Sequence, residues 1–80
     1  MEERVSSRQD FICFLESLQA DLKRGTPEWT NDKLGEFLEA MTAYASDVQG
    51  YYVNTNKHVS ADEASWQVFA DILRGATMYE

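Results

Sequence analysis

The sequence is poor in the residues from which small proteins build reactive sites. It holds one cysteine, Cys13, one histidine, His58, and one proline, Pro27. A lone cysteine cannot close an intramolecular disulfide, so nothing calls for an oxidising compartment. One cysteine and one histidine give no zinc-type ligand spacing. Nucleophilic catalysis needs a base beside the nucleophile and a third group to orient that base. Cys13 falls away from the apolar stripe of its helix, and no residue is marked out to orient His58. His58 lies just before a helix start, where the helix dipole disfavours an imidazolium, so it reads as an ordinary loop histidine. The glycines (Gly25, Gly35, Gly50 and Gly75) are scattered singly, which excludes a glycine-rich phosphate loop. No segment alternates oxygen ligands around a glycine turn as a calcium loop does. The expectation is a non-enzyme with no cofactor and no metal.

Basic residues are scarce as well. Seven Lys and Arg stand against fourteen Asp and Glu, a net charge of −7. Such a field repels a phosphate backbone unless cations are segregated, and Lys23-Arg24 is the one adjacent basic pair, so nucleic acid is not an expected partner. No stretch nears the roughly 18 apolar residues of a membrane-spanning helix. Met1-Glu2-Glu3-Arg4 does not open a signal peptide. These readings point to a cytoplasmic chain. The acidic balance suits a basic protein partner, and it serves solubility equally well.

What the sequence does contain is helix punctuation. Its 80 residues suffice for one small domain, 1–80, which needs a well-packed core or association to be stable. The expected fold is all-α: a compact bundle of three main helices over about 7–24, 31–49 and 61–78. An extra short helical turn is allowed in 26–30 or 51–56. Ser6 with Gln9, or Ser7 with Asp10, resembles a capping box that opens the first helix. Phe11, Phe14, Leu15, Leu18 and Leu22 supply its stripe, and Lys23, Arg24 and Gly25 close it. Pro27 enforces a break, with Thr26 as a cap for a short turn.

Asn31 or Thr30 is expected to cap the second helix, and Gly50 to stop it. Leu34, Phe37, Leu38, Met41, Tyr44, Ala45 and Val48 form its apolar stripe. Ser60 with Glu63 reads as a capping box for the third helix, with Val59 as its hydrophobic staple. Trp66, Phe69, Ala70, Leu73 and Thr77 line one face, and Val68 and Ile72 widen it enough to suggest contact with two neighbours. Gly75 weakens the last turns and admits the close approach of another element. The first helix should pack antiparallel to the second, and the third should lie across both. Residues 51–59 read as an irregular loop.

One run carries most of the functional interest. Asp32, Glu36, Glu39 and Asp47 project within roughly 140–220° of Leu34 on a helical wheel, opposite the apolar stripe. Positions 26–50 hold five acids and one base. A solvated back face explains this row, and so does a ridge that steers a cationic partner. Tyr51-Tyr52 follows directly, a residue type enriched at binding hot spots, although adjacent side chains place one in the core and one outside. The candidate partner-binding set is therefore Asp32, Glu36, Glu39, Asp47, Tyr51 and Tyr52. Trp29 is expected to seal the end of the core.

The pattern Trp29-x-Asn31, Phe37-Leu38-Glu39-Ala40, Asp47-x-x-Gly50-Tyr51-Tyr52, Trp66-x-x-Phe69-Ala70 and Tyr79-Glu80 resembles a family of short acidic bacterial proteins of unknown function. The match runs from Phe11 to Glu80. It implies a bacterial cytosolic protein and supplies no activity or site. A weaker likeness of layout is to the colicin-type DNase immunity proteins, acidic helical inhibitors with an acidic second helix followed by a Tyr-Tyr pair. That family continues the pair with proline, whereas Val53 stands here. Two functional readings result: a protein-binding module for a basic partner, of immunity or inhibitor type, and a self-associating domain that buries its third-helix face in a homodimer. The sequence leaves monomer and homodimer open.

Overall fold

A Ser-x-x-Asp start and a glycine stop delimit the first helix, α1, which spans Arg8–Arg24. The computed structural model describes residues 4–25 and 29–79. Of the two alternatives for the N-terminus, Ser7 is the cap: its hydroxyl accepts from the Asp10 N–H at 3.1 Å. The Asp10 carboxylate reaches back and accepts from the Ser6 N–H and hydroxyl, both at 3.1 Å. Those bonds hold its carboxyl below the usual carboxylate range. At the other end Gly25 sits at φ 65°, and its N–H meets the Asp21 and Leu22 carbonyls. Only glycine takes that conformation without a Cβ penalty. The short turn expected at Thr26-Pro27 lies outside the described residues.

The second helix, α2, spans Leu34–Asn54 and departs from expectation at both ends. Its cap position is Lys33, with no side-chain capping bond; Asn31 is used elsewhere. Gly50 does not stop it. A glycine costs a helix interior only about 1 kcal/mol, and continuation brings Tyr52 onto the face of Val48, four residues earlier. Both side chains end fully buried, a gain of about 1.5–3 kcal/mol for each large apolar group. The helix end expected at Gly50 comes instead beyond Asn54, where Asn56 takes φ 58° and the Lys57 N–H closes on the Tyr52 carbonyl at 2.8 Å. Tyr51–Asn54, read from sequence as loop, are therefore the last turn of α2.

The third helix, α3, spans Trp66–Ala76, starting five residues later than the expected 61. Ser65 is its cap and accepts from the Val68 N–H at 3.1 Å. Ser60 and Glu63 make a simple turn, Glu63 N–H to Ser60 carbonyl at 3.2 Å. A side chain of α2 holds that segment out of helix. Gln49 donates to the Val59 carbonyl at 3.0 Å and accepts from the Ala61 N–H at 2.7 Å. Val59 and Ala61 pack on the core rather than stapling a helix start.

The wide apolar arc of α3 has the meaning its breadth implied. Val68 packs with Val48 and Tyr52 of α2, while Ala70 packs with Phe14 and Leu18 of α1. α3 thus touches both other helices. The expected antiparallel α1–α2 pair does not form; these two helices make no mutual contact among the described residues. The connector that should have joined them is drawn to the end of α3. Asn31 donates from its backbone to the Thr77 carbonyl at 2.8 Å. Its side-chain amide donates to the Ala76 and Tyr79 carbonyls at 3.0 and 2.8 Å. Trp29 donates to the Asn31 carbonyl at 2.9 Å and stacks on Phe37 with centroids 5.6 Å apart. Trp29 packs against the core cluster of α1 and α3.

Candidate functional site

The residues singled out from sequence do not form one surface. Glu36 and Glu39 are exposed on α2. Asp32 is also exposed but precedes the helix, so it does not share their face. Asp47 is exposed and accepts a hydrogen bond from the Tyr79 hydroxyl, which raises the phenol's pKa. Tyr51 stays 38% exposed, with the Lys57 ammonium 5.5 Å from its ring centre. Tyr52 is fully enclosed and so cannot contact a partner directly. Its hydroxyl donates to Asp71 at 2.6 Å; burial first, and this carboxylate second, push its pKa well up. Gln67 donates to the other Asp71 oxygen at 3.0 Å. The tyrosine pair is therefore split between core and surface, as adjacent side chains on a helix must be.

Cys13 is exposed, and its sulfur accepts from the Gln9 amide at 3.9 Å. His58 is exposed too. Among the described residues, no group of three or more His, Cys, Asp or Glu side chains is placed to hold a metal ion. No described helix is long and apolar enough to cross a membrane.

Two concave surfaces emerge that the sequence did not mark. The first is an apolar groove of about 640 Å³ between α2 and α3, lined by Met41, Ala45, Phe69, Ile72 and Leu73 with Thr42 and Ser46 at its edge. Phe69 is 42% exposed there. Leu34 and Leu38, assigned from sequence to the core stripe, remain 74% and 51% exposed. They lie on the Ala45 side of α2, within roughly 40° of one another at 100° per residue. The helix that forms this wall contains Glu36, Glu39 and Asp47 and no base. The signal available beforehand was the breadth of the α3 arc, part of which faces neither neighbour.

The second surface is a cleft of about 840 Å³. Gln67, Ala70, Asp71 and Arg74 contribute to it from α3, opposite the α3 residues of the groove by helical geometry. Arg4 and Lys57 also line it, so it gathers three of the seven cations of the chain.

With the geometry in view, comparison with known proteins adds one finding: the model of a family of unknown function, DUF7660, matches residues 7–80. The chain belongs to that family. No curated protein and no solved structure matches it. The family span takes in all three helices, the groove and most of the cleft, and leaves out Arg4, Val5 and Ser6. Membership brings no activity with it, so a functional reading rests on the surfaces themselves.

Proposed function

We propose that the protein is a non-catalytic protein-binding module whose α2–α3 groove receives an amphipathic, positively charged helix of a basic partner. The observation that carries this reading is the apolar groove itself, with Phe69 on one wall and Met41 and Ala45 on the other. Leu34 and Leu38 extend the apolar strip along α2. A concave apolar strip beside a helix face is the receptor geometry of helix-in-groove recognition. The charge of the occupant follows from the chain's net charge of −7: the three acids of α2 lie across the helix from Leu34, Leu38 and Ala45, so they steer at long range rather than line the groove. Such a field favours a ligand whose apolar stripe is flanked by lysine and arginine, and speeds its encounter. Glu36 and Glu39 keep the steering role expected of them, and Tyr51 lies away from the groove on the cleft side. An inhibitor or immunity-like role, in which a basic toxin or enzyme is the partner, is the specific form of this reading.

The test uses a labelled leucine–lysine amphipathic peptide of about 18 residues, some 27 Å of helix, and a scrambled peptide of equal composition. One-to-one saturable binding of the first, lost on scrambling and weakened about tenfold or more by Leu38→Asp or Phe69→Ser, supports the groove. Leu38 is already exposed, so its variant separates binding from folding. Equal binding of both peptides reduces the effect to charge and ends the reading. The homodimer alternative predicts instead a concentration-dependent dimer in sedimentation that Phe69→Ser dissolves. Charge opposes it, since it brings two copies of net −7 together.

A further inference from the structure

Among the described residues that line the α2–α3 groove, none is charged, and Thr42 and Ser46 are the polar ones. Both belong to α2 and both are exposed. The series Leu38, Thr42, Ser46 climbs the helix in steps of four, so it turns away from the apolar strip by about 40° per step. Thr42 and Ser46 therefore form the rim of the groove, one above the other, with β-carbons about 5–6 Å apart.

The hydrogen-bonding capacity of this rim is one-sided. A hydroxyl has one proton to donate and two lone pairs with which to accept. The Thr42 hydroxyl donates to the Leu38 carbonyl at 3.1 Å, and the Ser46 hydroxyl donates to the Thr42 carbonyl at 3.1 Å. Both protons are thus engaged inside α2, while the lone pairs of both oxygens are left for a ligand. Donating outward would break one of these bonds. A carboxylate, which only accepts, finds no proton there; an ammonium, with three protons and no lone pair, matches the rim. The net charge of −7 does not supply this selection. Its field acts at long range, is screened by salt and fixes no particular side chain of a ligand.

We propose that Thr42 and Ser46 determine the specificity of the groove, their hydroxyl oxygens receiving the ammonium of a lysine that borders the apolar stripe of the docked helix. This rests on the reading of the groove as a helix receptor and names the contact that selects a basic occupant. The lysine stem lies along Leu38 and Ala45 while its ammonium reaches the rim, the usual division of a long cationic side chain. Hydroxyls at this spacing let one ammonium bond to both oxygens at about 3 Å.

The probe is the leucine–lysine peptide of about 18 residues, compared with the same peptide trimethylated at every lysine. Trimethylation keeps each charge and removes every ammonium N–H, so long-range steering is the same for both. The full chain is expected to bind the unmodified peptide about tenfold more tightly, the size of one charge-assisted bond. That ratio should hold as salt is added, because the two charges are equal. In the variant carrying both Thr42→Val and Ser46→Ala the two peptides bind equally, with every charge of the chain in place. The substituted side chains are exposed and bonded only within α2, and an unchanged urea midpoint shows the fold intact.

Equal binding of the two peptides by the unaltered chain overturns the rim and leaves the groove standing, since Leu38→Asp then still weakens both. A preference that survives in the double variant, or one that collapses with salt, also overturns the rim. Failure of both peptides to saturate the unaltered chain ends both readings. If the double variant unfolds, Ser46→Ala alone, which favours helix, must narrow the ratio; an unchanged ratio overturns the proposal.

Discussion

The two ends of α3 are secured in different ways. Its start is local: Ser65 caps the third residue on, within a single turn. Its end is held from a distance, by Asn31 across 45 and 48 residues of sequence and by the Tyr44 ring lying where a Cβ on Gly75 would stand. Local capping can be read from neighbouring letters, although several serines compete for the role. A clasp from a distant connector cannot be read that way, because nothing near Ala76 encodes it. The difference predicts that the distant end is worth more to stability than the local one.

The largest effect is expected at Gly75. Alanine usually strengthens a helix interior by about 1 kcal/mol relative to glycine. Here the methyl overlaps the Tyr44 ring, which is itself held edge-on by Tyr79 at 5.2 Å. Overpacking costs about 1–3 kcal/mol, so Gly75→Ala should lower stability by about 2 kcal/mol in urea unfolding. A stabilised variant would mean that Tyr44 swings away freely, and the far end of α3 would then lose one of its two fastenings. The close approach at this glycine was legible in sequence; which side chain approached was not.

Asn31 comes next. Its side chain gives two hydrogen bonds to terminal carbonyls of α3 and its neighbourhood. Asn31→Ala leaves both acceptors short of a donor, at about 1–2 kcal/mol where water only partly replaces it. Hydrogen exchange should localise the loss, with the amides of Asn31 and Tyr79 opening well before those of α1. Uniform loosening of the whole chain would argue that Asn31 merely caps α2, as the sequence suggested.

Asn31 also shows where reading from sequence ran out. Three helices, the glycine end of α1, the exposed row of Glu36 and Glu39, and the split of Tyr51 from Tyr52 follow from periodicity and cap chemistry. The misplaced boundaries share one cause: a side chain from elsewhere in the fold overrode a local signal. Asn31 was drawn to α3 instead of capping α2, Gln49 held 59–61 out of α3, and the core claimed Tyr52 past Gly50. The groove was missed because Leu34 and Leu38 fit the period of a core stripe while α3 is too short to cover them. The cleft was missed because its cations converge only in three dimensions.

The smallest effects come from comparing two serines. Ser65→Ala removes the bond to the Val68 N–H and should cost about 1 kcal/mol, the usual value of an N-cap. Ser60→Ala removes a hydroxyl that accepts from the Asp62 N–H at 3.3 Å in an exposed turn, and should change stability by less than about 0.5 kcal/mol. Both serines precede an acid or a helix start, so composition alone ranks them equally, or favours Ser60 for its Glu63. Thermal unfolding of the pair therefore isolates one variable, whether the backbone after the serine is helical. Equal losses would place the start of α3 at residue 61. A loss at Ser65 alone keeps 59–61 pinned by Gln49, and Gln49→Ala should then raise the cost of Ser60→Ala by freeing that segment to extend the helix.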